Sequence, residues 1–184
     1  MMADMDKTFE FDERVRAAEM QIHHNANETH DIEPGLVFDE AGIRVTAFYV
    51  DHRPIDPALG FKVEYAGRSV VLSGDTRPTE SVAEHGTGAD LLIHEVICGN
   101  KEDSPDPEQF ERIIAHHTSP QQAGHIFSKT RPRLAAYSHV ILLAGVTADD
   151  LEAQTRETYD GPLLVGEDLT RITVRDEITV ERLG

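Results

Sequence analysis

Three apolar segments that stop on a polar residue constrain this chain most. VVLSGD ends on Asp75, LLIH ends on His94 with Glu95 next, and LAAYSH ends on His139. Each reads as a buried strand with a polar group at its carboxyl end. Helical segments lie between them: TESVAEHG, DPEQFERIIAHH and SPQQAGHIFSKT. Ser119 is placed to cap the last of these, with Pro120 at its first position. Two hairpin-like units come earlier. LVFDEAGIRVTAFYV turns at Ala41-Gly42, and GFKVEYAGRSVVLSG turns at Ala66-Gly67. After His139, TADDLEAQTRETY predicts a helix capped by Thr147, and PLLVGEDL and TRITV predict closing strands. Strands first, then strand and helix in alternation, predict an α/β fold: a mixed sheet with helices on one face.

Residues 1–35 differ in texture. FDERVRAAEM predicts a short helix with Phe11, Val15 and Ala18 on one face, followed by the polar, acidic linker QIHHNANETHDIEPG. The expected organisation is therefore an N-terminal helix and linker over 1–35 and a main unit over 36–184. A chain of 184 residues can bury a sizeable core. Its formal net charge of −17 repels phosphate backbones, which argues against a nucleic-acid partner and for a small-molecule substrate. The one compact basic stretch, KTRPR at 129–133, reads as a solvated loop before a strand. No apolar run is long enough to span a bilayer, so no membrane partner is expected. The start MMADMDKTFEFDERVR has no secretory pattern, and the single cysteine, Cys98, excludes an internal disulfide. A cytoplasmic location is the expectation.

In α/β sheets, ligands bind beyond the carboxyl ends of the strands. Asp75, His94 and His139 stand there, and His117 lies just before the Ser119 cap. Carboxylate and imidazole are the donors of a divalent metal site. Gly74 permits a sharp turn that would project the Asp75 carboxylate from the sheet end. Such an oxygen can sit between two cations about 3.5–4 Å apart. His116, His125 and His85 read as helix-end or helix-surface residues, and His23, His24 and His30 as part of the solvated linker.

Taken together, VDHRPIDPALGFKVEYAGRSVVLSGDTRPTE, LLIHEV, HHTSPQQAGHIF, YSHV and GEDL resemble the metallo-β-lactamase-fold hydrolases, in particular the ribonuclease Z-like branch. The resemblance covers about residues 31–174. It implies that Asp75 bridges two zinc ions, that His139 binds one of them, and that His117 protonates the leaving group or steadies the scissile phosphate. It implies a supporting catalytic position for His94 and a substrate contact for His52. The family's His-x-His-x-Asp-His element is absent from the sequence. The expectation is accordingly the C-terminal half of an αβ/βα sandwich. It would hydrolyse a small ester or phosphodiester with zinc-bound hydroxide once the site is completed, and a bare sheet face would pair two copies as a homodimer. The alternative expectation is a non-catalytic truncated homologue acting as a dimerising binding module.

Overall fold

Where the sequence alternates apolar and turn residues, the chain folds into a seven-stranded sheet. A computed structural model describes residues 31–183; the expected N-terminal helix, His23, His24 and His30 lie outside the described residues. Strands β1 (Gly35–Glu40), β2 (Ile43–His52), β3 (Ile55–Tyr65) and β4 (Arg68–Leu72) form an antiparallel meander. Strands β5 (Leu91–Cys98), β6 (Leu134–Leu142) and β7 (Leu163–Val165) extend it in parallel, in sequence order. Ala41, Gly42, Ala66 and Gly67 all have positive φ, the backbone that two-residue hairpins require.

The parallel strands are joined by helices α1 (Glu80–Gly86), α2 (Pro107–Ile114), α3 (Pro120–Thr130) and α4 (Ala148–Arg156). Reciprocal capping hydrogen bonds start α3 at Ser119 with Gln122, and α4 at Thr147 with Asp150. Val82, Ala123, Phe127 and Leu151 of the helices pack with Leu92, Val96, Ala135 and Tyr137 of the sheet in one buried cluster. Phe127 is fully buried, its ring 5.4 Å from those of Tyr137 and Tyr159. The expected mixed α/β sheet with helices on one face is what forms.

The opposite face is not bare. Strands β8 (Thr170–Val174) and β9 (Ile178–Arg182) pair only with each other. This hairpin lays Ile172, Val174 and Ile178 over Leu91, Leu134 and Ala136, with Val70, Ile93 and Leu164 alongside. Buried Asp90 ties it down through Arg133, which donates to the carbonyl of Arg175 (2.9 Å) while its Nη1 meets Asp90 at 2.6 Å. The homodimer expectation rested on an uncovered sheet face, and the hairpin removes part of that premise. Among the described residues no helix is long and apolar enough to cross a membrane.

Candidate active site

The sheet's rim, at the carboxyl ends of β4, β5 and β6, collects the polar residues. After β4 the backbone turns through Ser73 and Gly74 to Asp75. Ser73 is sewn to β5: its N–H donates to the Ile93 carbonyl (3.0 Å), and its hydroxyl accepts the Glu95 N–H (3.0 Å). Gly74 has φ +61°, and a Cβ there would stand 2.5 Å from the Leu59 carbonyl oxygen. Both facts demand glycine, which answers why this strand ends in Ser-Gly-Asp. Gly74→Ala is expected to destabilise the fold by about 1–3 kcal/mol, measured by urea denaturation; wild-type stability would contradict the argument.

His139 reaches the same rim by a different device. Along β6, Tyr137 opposes His94 and Val140 opposes Val96, so Ser138 and His139 together face Glu95 alone. This is a β-bulge, and His139 within it has φ +47°, a left-handed backbone uncommon for histidine. Strict alternation would send His139 to the side of the buried Tyr137, under the helices. The bulge instead leaves it half-exposed, with Nε2 3.5 Å from Asp75 Oδ2.

His117 precedes α3, and its ring centroid lies 5.8 Å from that of His139. It is braced by Glu95, a residue that sequence reasoning assigned no role. Glu95 is buried; Oε2 is 3.0 Å from His117 Nδ1, and Oε1 accepts the Thr118 N–H at 2.7 Å. Burial pushes the Glu95 carboxyl up to about 8, against the pull of its Thr118 and Thr76 hydrogen bonds. Burial, with His52 adding to it, lowers His117 below the usual imidazole range. The signal for Glu95 was available: a lone acid inside the apolar run LLIHEVI must find partners to be buried. His52, at the end of β2, donates from Nδ1 to the His116 carbonyl (3.0 Å), and its ring is 5.0 Å from His117's.

The structure therefore brings Asp75, His139, His117 and His52 together. It does not bring His94. That ring is fully buried on the helical side, edge-on to Phe127, with Nδ1 donating to the Glu95 carbonyl at 2.7 Å and no partner for Nε2. His94 cannot touch a substrate; its bond to the Glu95 carbonyl supports the backbone on which Glu95 stands. Burial pushes it down to about 4. The unfolded chain takes up this proton near its ordinary value of 6.5, whereas the folded chain resists until about 4. The contribution is thus present above the unfolded value and is lost as pH falls. The stability cost of His94→Gln should shrink by about 2 kcal/mol from about pH 7.5 to about pH 5. Glu95, whose raised carboxyl acts in the opposite sense, cancels in this comparison. A cost independent of pH would refute the assignment.

Among the described residues no group of three or more His, Cys, Asp or Glu side chains is arranged to enclose a metal ion. Asp75 and His139 form a pair. At 3.5 Å their separation is long for a hydrogen bond. It is close to the distance between two ligands on a tetrahedral zinc ion with bonds of about 2.0–2.2 Å, roughly 3.3–3.6 Å. An accessible carboxylate and an imidazole at that spacing fit zinc as two of its ligands.

A mixed sheet helix-covered on one face, with Asp and His at its rim, defines a protein of the metallo-β-lactamase fold. Residues 2–140 match the Beta-lactamase superfamily domain, and the chain belongs to that family. Within it the chain is ribonuclease Z-like. It is 30% identical over 193 residues to "Ribonuclease Z" of Mycolicibacterium gilvum, covering 100% of this chain and 65% of that protein. It is 32% identical over 149 residues to the same-named protein of Mycobacterium marinum, covering 80% and 53%. The chain thus spans between half and two thirds of the length of these relatives. In fold it is similar to the metallo-beta-lactamase fold protein YhfI from Bacillus subtilis, with a TM-score of 0.60 and 19% identity over 82% of this chain and 60% of that one.

These relatives correct the partner assignment. The small-molecule substrate and the exclusion of nucleic acid, both drawn from the net charge of −17, do not stand beside relatives named as ribonucleases. The physical error lay in letting a whole-chain charge sum decide the substrate class, when the site's own groups decide it.

Proposed function

We propose that this chain supplies one side of a metal-dependent phosphodiesterase site that cleaves RNA. One observation carries the proposal: Asp75 and His139 meet at 3.5 Å, beside a His117 braced by a buried carboxylate. Asp75 and His139 would hold zinc. When bound, zinc polarises a phosphoryl oxygen and lowers the pKa of water to about 7. The remaining work falls to this chain's own side chains. His117, with Nδ1 engaged by Glu95, is free at Nε2 to give a proton to the departing oxygen. Glu95 Oε2, 3.0 Å from Nδ1, accepts the Nδ1–H and so supports a proton on the ring. His52 has Nδ1–H committed to the His116 carbonyl, which leaves Nε2 of the neutral ring as an acceptor for a substrate hydroxyl. The name of the relatives supports RNA as the substrate, and a cytoplasmic setting fits that reading and the lone, buried Cys98.

The test is cleavage of single-stranded and hairpin RNA oligonucleotides with zinc, with bis(p-nitrophenyl) phosphate as a generic phosphodiester probe. Wild type is expected to cleave, and His117→Ala to lose about 10²–10⁴-fold, the contribution of one positioned proton donor. Equal rates for the two proteins would overturn the reading.

A further inference from the structure

Three segments carry His52, Asp75 and His117. They are the end of β2 (Asp51–Arg53, bearing His52), the turn Asp75–Arg77, and the stretch Ala115–Thr118 (bearing His117). None is a neighbour of another in sequence, so their relative positions must be set by cross-links. Arg77 supplies them. Its Nε donates to the Ala115 carbonyl, and its Nη2 donates to the Arg53 carbonyl at 3.1 Å. The Arg77 N–H donates to the Asp51 carbonyl at 2.8 Å, and Nη1 lies 3.6 Å from the Asp51 carboxylate. Its neighbour Thr76, fully buried, strengthens the same seam. The Thr76 hydroxyl accepts the Asp51 N–H (3.1 Å), and its carbonyl accepts the Thr118 hydroxyl (2.7 Å).

An exposed arginine paired only with a carboxylate would contribute little. Arg77 differs because two of its donors are committed to backbone carbonyls in two different loops. One carbonyl directly follows His52, and the other lies two residues before His117. A planar fork holds both in one fixed geometry; an ammonium, with three rotatable donors on a flexible stem, does not fix the two carbonyls relative to each other.

We propose that Arg77 is a positioning residue, whose guanidinium cross-links the backbone after His52 to the backbone before His117 and so holds both imidazoles in register on the rim that Asp75 occupies. The His52 ring is oriented by the His116 carbonyl, which moves with Ala115. His117 is oriented by Glu95, but only while the Ala115–Thr118 stretch stays seated. Releasing the guanidinium therefore frees both rings together and leaves His94, anchored inside β5, untouched.

The geometric part of this proposal is independent of the hydrolase reading; its kinetic part rests on it. The test is nitrogen-resolved NMR of the histidine rings in wild type, Arg77→Ala and Arg77→Lys. Wild type should show His52 and His117 each locked in one hydrogen-bonded state. Both variants should show those two rings averaging between tautomers while the His94 pattern is unchanged, which also certifies the fold. Should Arg77→Ala fail to fold, Arg77→Lys, which keeps the charge and stem, decides the matter. On phosphodiester substrate, Arg77→Lys should lower kcat about 10–100-fold with KM within about twofold, the signature of misplaced rather than missing groups. Added guanidinium should restore part of the rate to Arg77→Ala. Unaltered His52 and His117 patterns in Arg77→Lys overturn the proposal. Altered patterns in a chain whose wild type has no turnover uphold it and remove the hydrolase reading instead.

Discussion

Asp75→Ala should lose phosphodiester turnover by at least about 10³-fold while its stability changes by no more than about 0.5 kcal/mol. The Asp75 side chain is 44% exposed, has no hydrogen-bond partner among the described residues, and packs in no core. A carboxylate so placed contributes almost nothing to folding, so its removal should register only in chemistry. His139 sharpens the comparison. Its backbone sits at φ +47°, where a side chain is strained and glycine is not. His139→Gly should therefore be as stable as wild type or more stable, by up to about 1 kcal/mol, and inactive. Stabilisation accompanied by loss of function is hard to obtain from a structural residue. Parallel measurement of urea denaturation and turnover distinguishes the cases. Retained activity in either variant would remove the proposed roles of this pair.

Glu95→Ala should be severe in both respects. It leaves the Thr118 N–H and His117 Nδ1 without their acceptor in a buried place and opens a cavity where the side chain was. An unsatisfied buried donor and a large-to-small change together are worth about 3–5 kcal/mol. Glu95→Gln is the informative partner. Its amide oxygen can still accept from Thr118, so most of the stability should return. Its amide nitrogen, however, can only donate toward His117, which no longer receives support for its proton. We expect Glu95→Gln to fold with a loss of about 1–2 kcal/mol and to retain about a hundredth of the turnover. If Glu95→Gln matched wild type in rate, Glu95 would be a packing residue only.

What was legible in the sequence was local. Ala41-Gly42 and Ala66-Gly67 form the expected turns because the positive φ they need is a property of the turn itself. Ser119 and Thr147 cap the expected helices because capping is settled within four residues. Gly74 and Asp75 fall where the SGD pattern puts them, since the Leu59 carbonyl leaves no space for a side chain. The two strand-end histidines were not distinguishable in that way. LLIH and AAYSH look alike, yet His94 is buried against Phe127 and His139 stands on the rim. The difference is one extra residue in β6 opposite Glu95, a matter of pairing between strands about 40 residues apart that neither segment encodes alone. The apolar run around Glu95 shows that it needs partners, but those partners, like the carbonyls that Arg77 holds, lie far away in sequence, so only the folded chain reveals which they are. The charge argument failed because its sum of −17 has no address on the surface.

The central claim is that Asp75 and His139 jointly grip a divalent ion, with His117 and His52 beside it. The most direct measurement is titration of the chain with Co²⁺, followed by NMR of the histidine rings, in wild type and in Asp75→Asn. The expected result is that His139 broadens first, that His117 and His52 follow, and that His94 and His85 stay unperturbed until the metal is in large excess, with Asp75→Asn abolishing that order. Broadening spread evenly over the rings, or an identical response in Asp75→Asn, would contradict it.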